Sequence, residues 1–191
     1  MSYAGIILAA GESSRMGAPK ALLEFRGETF LDRLIGCFAE QCSPVIVVLG
    51  YEADIIRAGV RSPGQARFVL NADYELGQFS SLQCGLRAVP PEAEGVIFTP
   101  VDHPNIEPAT LARLIDSGAL IAIPQYVGRH GHPVLFSRAL LAEFLALAPG
   151  DQARTVLHRH ASQTRYIDVP DAGILDDIDD PEAYRRLLGS A

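Results

Sequence analysis

Three short segments of the sequence carry residue types that bind phosphate groups and divalent cations. The first, residues 9–20, reads Ala-Ala-Gly-Glu-Ser-Ser-Arg-Met-Gly-Ala-Pro-Lys. A loop of this kind can offer backbone N–H groups to phosphate oxygens, with Arg15 and Lys20 adding positive charge. It is neither a P-loop nor a G-x-G-x-x-G motif, because Gly11 and Gly17 are one residue too far apart and Lys20 does not directly follow Gly17. The alternative is a surface loop rich in small residues.

Lys20 is the only lysine in a chain that contains 15 arginines. An ammonium group is a compact point charge, whereas a guanidinium is a planar fork suited to bidentate pairing. Keeping the one ammonium next to a loop with two glycines indicates that a point charge is needed there, as in phosphate binding.

The other two segments supply carboxylates. Asp102 lies between two prolines, directly after a predicted strand, and suits a hard metal ion; the alternative is a turn residue before a helix. In an extended chain Asp177 and Asp179 project to one face, and the repulsion of the acidic segment 176–180 requires a cation or solvent. We expect Mg²⁺ to be bound by Asp102 with Asp177 or Asp179, beside the phosphates of a substrate. Asp180 is expected to cap a helix that begins at Pro181.

Weaker signals come from serine, histidine and aspartate residues in the predicted loops. Ser80 and Gln83 have the spacing of a capping box, which leaves a helix N-terminus open to an anion. His130 and His132 either contact a substrate or are ordinary turn residues, since the cysteines are badly spaced for a zinc site. Asp151 is expected to cap another helix.

The elements that would position these residues alternate along the chain. Seven apolar runs predict strands: 4–9, 44–50, 67–70, 95–99, 119–123, 132–136 and 166–169. Residues at helical spacing predict helices near 30–38, 82–89, 111–115 and 140–147. This alternation favours an α/β fold with a largely parallel sheet covered by helices on both faces. Ligands of such sheets bind beyond the carboxyl ends of the strands, where the three segments lie.

Composition excludes several classes of protein. The chain has 191 residues and is 48% hydrophobic, so it can bury a core, and nothing in it marks a linker; we expect one domain over residues 1–191. The net charge of −7 equals the seven acidic side chains between Asp168 and Glu182, where no base lies, so a broad basic field for nucleic acid or anionic membranes is absent. Asp168 and Asp171 are interpreted as solvated surface.

Localisation is expected to be cytoplasmic. Three cysteines are too few, and odd in number, for a disulfide framework, which favours a reducing compartment. The apolar run at residues 6–10 is too short for a signal peptide or a membrane span.

Taken together, these segments resemble a known family. Residues 8–20 are similar to the signature loop LAAGxSxRMGxxK of the MobA/MocA-like nucleotidyltransferases. Similar family segments follow in order: 27–31 (GETFL), 71–85 (Asn…Gly…SSL…Gly), 100–104 (PVDHP), 131–136 (GHPVLF), 150–154 (GDQAR) and 177–182 (DIDDPE). The matches to the molybdenum cofactor cytidylyltransferase branch run from about residue 5 to residue 184, nearly the whole chain.

The resemblance implies a three-layer Rossmann-like fold of the glycosyltransferase-A type, that of the nucleotide-diphospho-sugar transferases. It also implies transfer of a nucleotidyl group from an NTP with release of pyrophosphate. Alanine at position 10 implies CTP over GTP, and the implied acceptor is the terminal phosphate of molybdopterin. His103, Asp180 and the pair Gln152-Ala153 depart from the family pattern, which bears on the acceptor more than on the reaction class.

The expected site residues fall into four groups. Catalytic roles are expected for Arg15, Lys20 and Asp102. Nucleotide binding is expected for Leu8, Ala9, Ala10, Gly11, Ser13, Ser14, Gly17, Asn71 and Ser81. Acceptor binding is expected for His103, His130, His132 and Asp151. Metal binding is expected for Asp102 with Asp177 or Asp179.

Three alternatives remain at this point. One is a nucleotidyltransferase of the same fold that acts on a sugar phosphate or polyol phosphate. The second is a non-catalytic chaperone that binds the cofactor for a molybdenum hydroxylase. The third, a Rossmann-like interaction domain, leaves the single lysine and the acidic segments unexplained.

Overall fold

The apolar runs of the sequence form the middle of an eight-stranded sheet. The computed structural model describes residues 2–148 and 150–189. Its strands are β1 (Tyr3–Ala9), β2 (Glu24–Phe25), β3 (Glu28–Thr29), β4 (Val45–Leu49), β5 (Arg67–Leu70), β6 (Gly95–Pro100), β7 (Ile121–Tyr126), β8 (Arg129–His130), β9 (Val134–Ser137) and β10 (Thr164–Asp168). Its α-helices are α1 (Phe30–Ala39), α2 (Ala53–Gly59), α3 (Gln78–Arg87), α4 (Pro108–Asp116), α5 (Leu141–Ala146), α6 (Ala153–Arg159) and α7 (Pro181–Gly189).

The sheet is mixed and mostly parallel. Its strand order is β10-β7-β9-β6-β1-β4-β5, with β8 paired to β7. Strand β1 is parallel to both β4 and β6, whereas β9 is antiparallel to β6 and β7. Strands β2 and β3 form a separate antiparallel pair. The central strands β1, β4 and β6 are buried along their whole length apart from Tyr3, as expected for strands covered on both faces.

Helices cover both faces of the sheet, which gives three layers. One core cluster packs residues of α1, α4 and α7 on the sheet, and the other packs residues of α3, α5 and α6 on the opposite face. At Gly85 of α3, an added Cβ would lie 2.9 Å from a methyl group of Ile6 and 3.0 Å from one of Val48. The absent side chain therefore lets this helix approach the sheet closely. The predicted α/β fold with a mostly parallel sheet is confirmed.

Some elements were not predicted. Helix α2 buries only Ile56, so its sequence lacks the repeated apolar spacing that marks an amphipathic helix. Strands β2, β3 and β8 are two residues long, too short to show an alternation. Among the described helices, none is long and apolar enough to cross a membrane.

Candidate active site

The register of the central strands brings the first loop and Asp102 together. Leu8 of β1 lies beside Pro100 of β6, and the amide of Val101 donates to the carbonyl oxygen of Leu8 at 3.0 Å. The C-terminal acidic segment joins them, because the amide of Ile178 donates to the carbonyl oxygen of Asp102 at 3.0 Å. All three segments with candidate chemistry therefore meet at one edge of the sheet.

The first loop is held in a defined conformation by Ser13. Its carbonyl oxygen accepts from the amide of Met16 at 2.8 Å, and its hydroxyl accepts from the amide of Lys20 at 3.1 Å. Ser13 has φ 53°, in the left-handed region that L-residues rarely adopt, and Gly17 has φ 68°. The N–H groups of residues 12–14 donate to no other described residue, so they are available to a ligand.

A cavity of about 400 Å³ opens above this edge of the sheet. An added Cβ at Gly11 would meet no protein atom within 4 Å, so the space beside it belongs to the cavity. The cavity is lined by Leu8, Ala9, Ala10, Gly11, Glu12, Ser13, Ser14, Arg15, Lys20, Ala21, Ile56, Tyr74, Glu75, Gly77, Gln78, Ser81, Pro100, Val101, Asp102 and Asp179. Most residues predicted to bind nucleotide are therefore at this cavity; Gly17 and Asn71 lie outside its lining.

Lys20 sits between two carboxylates at the cavity. Its Nζ lies 2.5 Å from Oδ1 of Asp179 and 3.5 Å from Oδ2 of Asp102, and only 11% of its side chain is exposed. The other oxygen of Asp179 accepts from the Arg15 guanidinium at 3.1 Å. The two basic side chains with predicted catalytic roles, Arg15 and Lys20, therefore both bind the carboxylate of Asp179. Lys20 also connects Asp102 with the C-terminal acidic segment.

The carboxylates at this site have different electrostatic environments. The hydrogen bond from Lys20 lowers the pKa of Asp179, with Arg15 adding to the effect. Burial raises the pKa of Asp102 against the attraction of Lys20. Burial also raises the pKa of Asp177, and the negative charges of Asp102 and Asp179 add to that rise. Asp179 is therefore neutralised by bases, whereas Asp102 and Asp177 lack sufficient positive charge between them.

Asp102, His103 and Asp177 form a group that can hold a metal ion. One ligand atom from each lies within 4.8 Å of the others. The Oδ1 atom of Asp102 is buried and accepts no hydrogen bond from the described residues, and it lies 3.7 Å from Nε2 of His103. Buried polar atoms are normally paired, so a carboxylate oxygen without a donor beside an imidazole fits a divalent cation. The residues present therefore fit a divalent metal ion.

His103 and His132 are packed against each other behind this group. Their ring centroids are 4.6 Å apart, and the Nδ1 atom of each is buried with no hydrogen-bond partner among the described residues. Burial lowers the pKa of His103 to about 4 and that of His132 to about 3. Both rings are therefore neutral near pH 7.

A second cavity, of about 500 Å³, adjoins the first. It is lined by Leu8, Leu76, Gly77, Gln78, Phe79, Leu82, Phe98, His132, Val134, Gly150, Asp151, Gln152, Ala153, Arg154 and Leu157. Leu8, Gly77 and Gln78 line both cavities. Two residues expected to bind the acceptor, His132 and Asp151, are at this second cavity, next to the first cavity.

His130 is placed differently from His132. It lies on β8, where its ring stacks on Tyr166 at 3.9 Å between centroids and its Nε2 is 2.9 Å from Oε1 of Gln125. These contacts lie at the edge of the sheet where β8 and β10 pair with β7. The structure does not bring His130 together with the other predicted acceptor residues.

Asn71 supports the cavity wall from behind. Its side-chain amide donates to the hydroxyls of Ser80 and Ser81 at 2.9 and 3.0 Å, and its Oδ1 accepts from the amide of Asp73. Ser81 lines the first cavity, so Asn71 orients a lining residue.

The predicted capping box is wrong. Helix α3 begins at Gln78, with Gly77 as its N-cap, so Ser80 already lies within the first turn. The side-chain amide of Gln83 instead donates to the carbonyl oxygens of Phe144 and Leu147. Gly77 has φ 103°, a conformation that favours glycine; it belongs to the matched segment 71–85, but no role was predicted for it.

Two aspartates also differ from their predicted roles. Asp171 is not solvated surface: it is 3% exposed and accepts hydrogen bonds from the amides of Glu107 and Gly173 and from the hydroxyl of Thr110. Asp151 does not cap α6; it accepts from the amide of Ala148. A single sequence shows the charge of an aspartate but not the distant amides that satisfy it.

The predicted helix cap at Asp180 is confirmed. Its Oδ1 accepts from the amides of Glu182 and Ala183 at 2.9 and 2.8 Å. Asp168 is exposed, as expected for surface. The acidic segment therefore divides its carboxylates between a helix cap and the site.

Several lining residues were not predicted: Glu12, Ile56, Tyr74, Glu75, Gln78 and Arg154. Ile56 comes from a segment that carries no motif, and Tyr74 lies between the matched residues Asn71 and Gly77. Gln78 lies inside the 71–85 match, and its place directly after Gly77 was the signal that marks it as the first residue of α3.

The fold is that of the Rossmann-like nucleotide-sugar transferases, as comparison with solved structures shows. The crystal structure of CMP:2-keto-3-deoxy-manno-octonic acid synthetase complexed with CTP superposes with a TM-score of 0.76 at 16% identity, covering 99% of this chain and 98% of that one. Rv0371c from Mycobacterium tuberculosis H37Rv superposes with a TM-score of 0.86 at 32% identity over the whole of both chains, and a structure of it in complex with manganese gives 0.84.

The chain belongs to the family defined by the MobA-like NTP transferase domain, which matches residues 5–164, and it is a nucleotidyltransferase. The molybdenum cofactor cytidylyltransferase of Escherichia coli K12 is 29% identical, over 94% of this chain and 92% of that protein. Nicotine blue oxidoreductase of Paenarthrobacter nicotinovorans is 31% identical, over 96% and 95%. The names of these two relatives describe different chemistry.

Proposed function

We propose that the protein transfers CMP from CTP to the terminal phosphate of molybdopterin and releases pyrophosphate. The observation that carries this proposal is the pair of adjoining cavities that meet at Leu8, Gly77 and Gln78. One is lined by a phosphate-binding loop and charged groups, and the other is more apolar and suits a ring system. The similarity to the Escherichia coli cytidylyltransferase supports molybdopterin as the acceptor.

The first cavity binds the nucleotide in this proposal. The free amides of residues 12–14 receive phosphate oxygens, and Arg15 and Lys20 neutralise the β- and γ-phosphates. These two bases are now paired with Asp179, so binding a triphosphate exchanges part of that pairing for phosphate. Ala10 lines the cavity, and the family resemblance associates alanine there with cytosine.

Asp102 and Asp177 are proposed to hold the cation, and Asp179 to hold the two bases in place. This choice between Asp177 and Asp179 follows from the neighbours of each: Asp177 lies in the group with Asp102, whereas both oxygens of Asp179 are bound by Lys20 and Arg15. We take the cation that supports turnover to be Mg²⁺. Bound there, it would neutralise charge on the transferred phosphoryl group.

The reaction needs little covalent chemistry from the protein. An oxygen of the acceptor phosphate attacks the α-phosphorus of CTP, a new P–O–P linkage forms, and the bond from the α-phosphorus to the bridging oxygen breaks. Pyrophosphate leaves with that electron pair. The attacking group is already an anion, so no strong general base is required, and Lys20 and Arg15 stabilise the charge on the leaving group.

The second cavity is proposed to bind the acceptor through His132 and Asp151, with His103 behind it. His130, placed near β10, would reach an acceptor only if it extended beyond this cavity. Delivery of the product to a molybdenum hydroxylase apoenzyme, a cytoplasmic location and a single domain over residues 1–191 remain parts of the proposal.

Pyrophosphate release measured with each of the four NTPs, with and without molybdopterin, tests the proposal. Release that requires both CTP and molybdopterin is the expected result. Release with a sugar phosphate or polyol phosphate in place of molybdopterin would replace the proposed acceptor. Tight binding of molybdopterin without release under any of these conditions would indicate a chaperone and contradict the proposal.

A further inference from the structure

The cation group differs from an ordinary magnesium site in one respect, the imidazole at its centre. Mg²⁺ binds oxygen ligands and is usually held by one or two carboxylates together with water and phosphate. Here the side chain that follows Asp102 is a histidine, and its Nε2 faces the unpaired Oδ1 of Asp102 at 3.7 Å.

The distance from Nε2 of His103 to Oδ1 of Asp102 suits two ligands of one metal ion better than a hydrogen bond. At 3.7 Å the two atoms are too far apart for a hydrogen bond. Two atoms that are each about 2.1 Å from one ion lie about 3 to 4.2 Å from each other, depending on the angle at the ion. The separation of Nε2 and Oδ1 falls within that range, and a carboxylate oxygen of Asp177 lies within 4.8 Å of the ligand atoms of both other residues.

Packing, together with a hydrogen-bonding contact to the backbone of Asp176, holds the ring of His103 in place. Its side chain is 10% exposed and packs against the ring of His132. The Nδ1 atom has no hydrogen-bond partner among the described residues, although buried polar atoms are normally paired. A buried imidazole whose Nε2 faces an unpaired carboxylate oxygen, with Asp177 in the same group, indicates a ligand that these side chains share.

We propose that His103 is a metal ligand together with Asp102 and Asp177, and that it gives the site a preference for a first-row transition cation over Mg²⁺. Imidazole nitrogen strengthens the binding of transition cations, whereas Mg²⁺ gains little from it. The inference deepens the proposed function, since it concerns the cation of the same site. The preference is one of binding affinity, and Mg²⁺ remains the cation proposed for turnover. Asp179 stays with Lys20 and Arg15 and is not a ligand.

Mn²⁺ is the probe, because it is paramagnetic. We expect electron spin echo envelope modulation of the full chain loaded with Mn²⁺, without nucleotide, to show a directly bound ¹⁴N nucleus. The coupling should disappear in His103→Gln and persist in His158→Gln, which changes an exposed histidine on α6. No ¹⁴N coupling in the wild-type protein, or coupling that persists in His103→Gln, would overturn the proposal.

Binding affinities provide the second measurement. By calorimetric titration, His103→Gln should weaken Mn²⁺ binding by at least about tenfold and change Mg²⁺ binding by less than about threefold. Equal weakening for both ions would show a structural role instead. Circular dichroism checks that the variant folds. If the variant does not fold, the spin echo spectrum of the wild-type protein with Mn²⁺ tests whether a nitrogen ligand is present. These readouts do not require turnover, so absence of pyrophosphate release would count against the proposed function and leave this inference standing.

Discussion

At the scale of single residues, the site is organised by the ammonium group of Lys20, which pairs with two carboxylates. Lys20 lies between Asp102 and Asp179 and is nearly buried, so its charge is little screened by water. The sequence indicated the importance of Lys20 through its uniqueness among 15 arginines. The sequence did not indicate that Lys20 would pair with Asp102 and Asp179, because these residues are distant in sequence and are brought together only by the fold.

Replacing Lys20 by alanine should lower turnover by about 10²–10³-fold, since it removes a charge that stabilises the departing pyrophosphate. The protein should remain folded, because Lys20 caps the loop through its backbone amide, which alanine retains. Steady-state pyrophosphate release and thermal unfolding of the same preparation provide the measurement.

Arg129→Ala is the matched control for Lys20→Ala. It removes one base from the exposed strand β8, away from both cavities, and should leave turnover within about twofold, as is usual for surface changes. If folded Lys20→Ala turns over at the wild-type rate, Lys20 has no catalytic role.

At the scale of elements, the sequence predicted the sheet better than the walls of the site. Apolar runs such as 44–50 identify buried strands because the signal, a continuous stretch of β-branched and aliphatic residues, lies within a few consecutive positions. The cavity walls instead come from short or irregular pieces, such as α2 and the loop before α3, whose positions are fixed by distant contacts. Asp171 illustrates the same limit: its partners come from α4 and the loop before it, about 60 residues earlier.

Gln83 connects two of these elements. It is 1% exposed on α3, and its side-chain amide donates to the carbonyl oxygens of Phe144 and Leu147 at 2.9 and 2.8 Å. Those carbonyls lie at the end of α5, just before the segment 150–154 that lines the second cavity. Gln83 therefore fixes one wall of the proposed acceptor site without lining it.

Gln83→Leu should raise the KM for the acceptor by about tenfold and leave the KM for CTP nearly unchanged. The loss of two hydrogen bonds leaves two carbonyls unpaired and should lower the free energy of unfolding by about 1–3 kcal/mol. Initial rates at varied concentrations of each substrate, together with urea unfolding, test this. Gln65→Leu, at an exposed turn, serves as control. An equal rise in both KM values would mean that Gln83 supports the fold in general and not the acceptor wall.

At the scale of the whole molecule, the acidic residues that carry the net charge have distinct structural roles. The net charge of −7 is concentrated in residues 168–182, yet the acidic side chains of this segment have different contacts in the structure. Asp171 binds amides in the interior, Asp180 caps α7, and Asp177 and Asp179 face the site. In the proposed function an acidic protein binds a polyanion, because Arg15, Lys20 and a bound cation would reverse the potential locally.

The two buried histidines make the stability of the whole chain sensitive to acid. Burial lowers the pKa values of His103 and His132 to about 4 and about 3, whereas the unfolded chain binds these protons near pH 6.5. Between those values the unfolded state holds more protons than the folded state, so stability falls as the pH falls below about 6.5. By pH 5 the loss should be about 1–2 kcal/mol for each histidine.

Urea unfolding at pH 7 and pH 5, in the presence of EDTA to remove cations, measures this dependence. His132→Gln should reduce the difference between the two pH values, because glutamine cannot take up the proton that the unfolded wild-type chain binds. His158→Gln, on the exposed side of α6, should leave the difference unchanged. If His132→Gln retains the full wild-type difference, His132 is not held neutral by burial, and the acid sensitivity originates elsewhere in the chain.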